Sequence, residues 1–211
     1  MLTNNLLPFM MDSQGAVVST ETVGSGGSGG TNTTTITSFT VTDANLILVG
    51  VRVNLSNDQT DVSITRDGQS FTLVDYQTFD TNKQMAIYKL LSPNTGSTDL
   101  VVTTTNTDYT RVIAVGLKNF SSLGTIAKDY DDTDTDTTPT VDATTVVDDL
   151  VIDFLGTENN VTFTDDEGQE LATVTSRLAA SYEVATTTST TTSWTISPAD
   201  KWGIVSIPIR S

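Results

Sequence analysis

Short runs of Val, Ile and Thr recur along most of this 211-residue chain, and polar turn residues interrupt them every few positions. That pattern admits β-strands and little else. β-Branched side chains suit a pleated, half-buried surface, and apolar/polar alternation marks a strand with one face in a core. Ile36, Phe39 and Val41 follow it. Val62–Thr65 and Phe71–Val74 flank Asp67-Gly68, a dipeptide that tolerates positive φ and suits a tight hairpin. Leu46–Val53 and Leu150–Phe154 are apolar nearly throughout and read as strands at the centre of a sandwich. Met85–Leu91, Leu100–Thr103, Val112–Leu117, Ala179–Val184, Ser193–Ile196 and Trp202–Ile209 are further strands. No long segment has a helical period. Roughly ten to twelve strands with frequent turns predict an all-β fold, an antiparallel, jelly-roll-like β-sandwich over Thr33–Ser211. Trp194 and Trp202 are expected as core anchors. No repeat of fixed period is visible, which argues against a propeller or solenoid.

The N-terminus departs from this pattern. Met1–Val23 carries an apolar tip, Leu6, Leu7, Phe9, Met10 and Met11, and Gly24–Gly30 is a Gly/Ser run. Residues 1–23 are expected to be an extended docking arm and residues 24–32 a flexible linker to the 33–211 domain. Burying each of the five tip residues contributes about 1.5–3 kcal/mol before ordering costs. Pro8 disfavours a continuous helix. Docking on a partner is the favoured reading. The arm as first strand of its own sandwich, or as a disordered segment, is the alternative.

Composition excludes several functions. The chain has no Cys and no His, hence no disulfide, no thiolate metal site and no Ser-His-Asp triad. Its 26 acidic residues against 10 basic ones give a net charge of −16, which repels nucleic-acid phosphates and anionic membranes. No apolar stretch is long enough to span a bilayer as a helix. The N-terminus lacks the basic residues of a signal peptide, so assembly inside a host cytoplasm is expected.

Chemistry-bearing motifs are few. Asp132, Asp134 and Asp136 stand at positions one, three and five of a calcium-loop spacing, but position six is Thr137 and position twelve is Ala143. A solvated acidic loop over Lys128–Pro139 is expected, with these three Asp as weak Ca²⁺ candidates and no cofactor. No carboxylate pair has a recognisable catalytic setting. Tyr76, Phe79, Tyr109, Tyr130 and Tyr182 are candidate glycan platforms and are expected mostly to pack in the core or at edges.

The order of Asn45–Val51, Val62–Val74, Met85–Leu90, Arg111–Val115 and Ser193–Ile207 resembles a β-sandwich module of tailed-phage virion proteins and bacterial surface proteins. The resemblance covers about Thr37–Arg210, rests on core-type motifs and leaves the arm outside. It implies a non-enzymatic virion structural protein: a capsid decoration or cement protein on the outer capsid surface. Such a protein binds the major capsid protein or another virion protein, and is a homo-oligomer within its assembly. A tail-fibre or receptor-binding component, or a bacterial surface adhesion or carbohydrate-binding module, is the alternative.

Overall fold

The computed structural model describes residues 18–28, 31–54, 62–105, 109–166 and 168–211. Its described residues hold no helix and eighteen strands, all paired antiparallel. The first half contains β1 (Ser19–Ser28), β2 (Thr33–Val41), β3 (Leu46–Asn54), β4 (Val62–Arg66), β5 (Gln69–Ser70), β6 (Thr72–Asp80), β7 (Lys83–Leu91), β8 (Gly96–Thr104) and β9 (Thr110–Lys118). The second contains β10 (Ser122–Leu123), β11 (Ala127–Asp131), β12 (Thr140–Thr144), β13 (Leu150–Thr157), β14 (Thr162–Asp165), β15 (Glu170–Val174), β16 (Leu178–Val184), β17 (Ser189–Ser197) and β18 (Trp202–Arg210).

The two halves repeat one topology. In the first, sheets β1-β9-β3-β7-β6 and β2-β8-β4-β5 face each other. In the second, β11-β18-β13-β16-β15 faces β12-β17-β14, and β10 extends the line of β11 along β18. Interleaving two sheets in this order is jelly-roll connectivity. The registers agree as well. Leu46 pairs with Leu91 and Leu117, and Leu150 pairs with Val184 and Ile209. A single sandwich over 33–211 is therefore replaced by two sandwiches. The sequence conceals the repeat because the loops differ in length and only the core character of each strand is shared.

The sandwiches stack, giving four layers and three cores. Ile36, Phe39, Ile64 and Leu100 meet Val49, Val51 and Ala114 in the first core. Leu48, Ile87 and Val115 meet Ile152, Phe154, Val205 and Ile207 in the middle one. Leu155, Trp202 and Ile204 meet Trp194 and Ile196 in the third. The inner sheets are buried on both faces, which is why β3 and β13 read as unbroken apolar runs. Outer strands such as β4 and β17 alternate. At the interface the chain approaches itself closely: a Cβ on Gly50 would lie 2.2 Å from the Phe154 ring.

Two expectations are corrected here. The Gly/Ser run is not a hinge as far as Ser28. Ser19–Ser28 forms β1, hydrogen-bonded along β9 from Lys118 to Thr110. Glycine is used there for approach: a Cβ on Gly24 would lie 2.7 Å from Ile36 Cγ2. Val18 is already buried, so the fold begins before Thr33. The expected acidic loop also starts late, because Ala127–Asp131 is edge strand β11 and only residues 132–139 form the loop. The apolar tip, Leu6, Leu7, Phe9, Met10 and Met11, lies outside the described residues.

Candidate functional site

The antiparallel registers give the molecule two poles. At one, β1, β3 and β13 begin and β18 ends, so Val18, Leu150 and Ser211 lie near one another. A groove of about 290 Å³ opens there, lined by Val18, Thr20, Leu150, Tyr182 and Val184 and rimmed by Glu170. The Glu170 carboxylate against its hydroxyl holds Tyr182 above its ordinary value. Val146, Val147 and Val184 are about half exposed at this pole (52%, 51% and 49%), an unusual concentration of apolar side chain in so acidic a chain.

The opposite pole is polar and ties the halves together. Lys83, after the β6–β7 turn, bridges Asp80 of its own half and Glu158 of the other, the latter at 2.8 Å. Lys201 reaches Asp80 at 3.2 Å and Glu158 at 3.7 Å. Lys83 holds the Asp80 carboxyl down at about 2. Arg52 of β3 is fully buried and donates from Nε to the Thr157 carbonyl and from Nη2 to the Glu158 carbonyl, each at 2.8 Å. The end of one inner sheet is thus capped by a guanidinium from the other.

Asp134 joins this pole. Its carboxylate lies with those of Glu158 and Asp200, their ligand oxygens within 4.8 Å of one another, an arrangement that could hold a cation. Asp132 and Asp136 do not converge on it. Asp132 faces the cleft under Tyr130, and Asp136 accepts from the backbone and hydroxyl of Thr138. Residues 131–138 wind through local side-chain turns, with Asp131 accepting from Thr133 and Asp136, so alternate Asp residues point apart. The triad is assembled from three distant segments, which spacing cannot disclose. Lys83 and Lys201 already supply two cations to Glu158.

A third polar constellation is internal. Asp153, in the middle of β13, is fully buried. Its carboxylate accepts from Trp194 Nε1 at 2.7 Å, Gln169 Nε2 at 2.9 Å and Ser181 Oγ at 2.5 Å. Burial outweighs these donors and pushes its pKa up to about 7. Ser181 and Ser206 flank it in register on β16 and β18, and the Ser206 hydroxyl is buried with no partner among the described residues. In the first half Val49, Tyr88 and Ala114 occupy the corresponding places, so the polar row belongs to the second half alone.

Of the five aromatic candidates, Phe79 is core and Tyr182 is packed against the middle core. Tyr76 carries Lys128 over its ring at 5.7 Å, and Tyr130 edges a shallow cleft of about 440 Å³. Tyr109 stands apart, with Arg177 Cζ 4.8 Å and Arg111 Cζ 5.9 Å from its ring centroid. Sequence reasoning passed over Arg52, Arg111, Arg177 and Asp153. A charge inside an otherwise apolar strand was the available signal for Arg52 and Asp153. No family model, curated protein or solved structure matches this chain.

Proposed function

We propose that this chain is a non-enzymatic structural protein of a tailed-phage virion, a capsid decoration or cement protein. Residues before Val18 anchor it to the major capsid protein or another virion protein, and the acidic double sandwich projects into solvent. One observation carries the reading: the N-terminal segment enters the fold at the only pole where Val146, Val147 and Val184 are exposed beside an apolar groove, among the described residues. The strongly negative surface supports an outward position, away from packaged DNA.

The test is truncation at Val18, which leaves β1 intact; a cut after Val23 would remove half of that strand. The truncated protein is expected to keep its melting temperature and to lose co-sedimentation with its assembly. Unchanged co-sedimentation would end the anchoring argument. A receptor-binding role on a tail is the second reading, and the aromatic and arginine side chains at the far pole favour it.

A further inference from the structure

Arg52 and Arg111 sit directly opposite one another on β3 and β9, and both turn toward the second half. Like charges in that position destabilise a sheet. Arg177, from the β15–β16 turn, adds a third positive charge; burial first, and then this charge, depresses both Arg52 and Arg111. The chain has only 10 basic residues against 26 acidic ones, yet three gather here. None of the three has a carboxylate within ion-pair distance among the described residues.

Their neutral partners leave donors over. Arg52 is spent on the Thr157, Glu158 and Tyr109 carbonyls and on Asn54. Arg111 uses Nε on Ser176 Oγ and Nη1 on the Ser28 and Thr110 carbonyls, with Nη2 left over among the described residues. Arg177 uses Nε on Asn160 Oδ1, and among the described residues both terminal nitrogens are left. Both guanidiniums lie within 5.9 Å of the Tyr109 ring centroid, and 49% of the tyrosine surface is open. An oxyanion set against Arg111 and Arg177 meets several N–H groups in fork geometry. The open part of the Tyr109 ring offers an apolar surface next to it.

We infer that Tyr109, Arg111 and Arg177 form a binding site for an acidic sugar: a carboxylate on the two guanidiniums, the C–H face of the pyranose against the tyrosine. The site spans the seam between the sandwiches, so its occupant also relieves the repulsion that opposes their closure. It lies at the pole remote from Val18 and is independent of the anchoring reading; its failure leaves that reading untouched.

The probe is trigalacturonate, titrated by calorimetry into the full chain, with galactotriose and inorganic phosphate as controls. Saturable trigalacturonate binding is expected, with a raised melting temperature, weakening with salt, and no binding of galactotriose. R177Q is expected to weaken it about tenfold or more, and Y109A to weaken it with the fold intact. R177K, which keeps the charge and loses the fork, is expected to fall between wild type and R177Q. Absence of binding, or equal binding by wild type and R177Q, overturns the proposal. Phosphate binding as tightly as trigalacturonate overturns it too, because the sugar ring then contributes nothing.

Discussion

Asp153 makes the stability of this protein depend on pH in the direction opposite to that of most carboxylates. Its folded pKa of about 7 stands above the ordinary 3.8. The folded chain therefore holds a proton that the unfolded chain releases, and stability is fully present below the unfolded value and lost as pH rises through the folded one. The whole shift of roughly three units corresponds to about 4 kcal/mol at 1.36 kcal/mol per unit. Between pH 5 and pH 7.5 the linkage integral gives a loss of about 2.5 kcal/mol, or some 5–10 °C in melting temperature for a chain of this size. Asp80, Glu21 and Asp131 are lowered, so they act in the opposite sense, below the ordinary carboxylate range and outside this window. Glu183 and Asp200 are raised by burial and add slope of the same sign, as does relief of net negative charge. The contribution of Asp153 is therefore isolated as the difference between wild type and D153N. In D153N the new amide keeps Trp194 and Ser181 but faces the Gln169 amide group, a mismatch costing about 1–3 kcal/mol. Urea denaturation across the window is expected to find D153N the weaker protein at pH 5 and close to wild type at pH 7.5. A wild-type-minus-variant difference that stays constant with pH would refute the argument.

Other expectations follow from the seam. F154A empties the position packed against Gly50 and is expected to cost about 3–5 kcal/mol, read by denaturant unfolding. G50V drives two methyl groups into a ring already 2.2 Å from an ideal Cβ, and is expected to leave little folded protein on expression; a near-wild-type melting temperature would show that the sheets can separate cheaply. R52M removes the guanidinium but strands the Thr157 and Glu158 carbonyls, so a loss of several kcal/mol is expected by the same assay. Chelation with EDTA is expected to leave the melting temperature unchanged, because Lys83 and Lys201 already counter Glu158; a fall of many degrees would make Asp134, Glu158 and Asp200 a structural metal site.

The inner strands were legible because burial on both faces writes itself as an apolar run, as in Leu46–Val53. The Asp67-Gly68 hairpin was legible because its φ values of 49° and 72° demand those residues. Thr140–Thr144 was not: its Thr and Asp side chains face water and only Val141 and Ala143 point inward. Gly24–Ser28 was misleading, since composition cannot separate glycine chosen for freedom from glycine chosen for clearance. The poles were beyond reach for another reason. Asp80 with Lys201, Arg52 with Thr157 and Arg111 with Ser176 each join residues from different sandwiches, and such contacts exist only once the second half has been laid on the first.

The seam also has a polarity. Beyond Leu48 and Ile152, which meet in the middle core, β3 presents Gly50 and Arg52 to the other sheet; at the matching places β13 presents Phe154 and Gly156, and a Cβ on Gly156 would already meet Arg52 Cγ at 3.1 Å. Large faces small in both directions across the approximate dyad. Two copies of the first sandwich joined by this face would set glycine on glycine and guanidinium on guanidinium; two copies of the second would force phenyl rings together. Each half thus accepts the other and refuses itself. The pairing is therefore heterologous, and with these two faces consumed against each other the outer layers and the poles are the surfaces that remain.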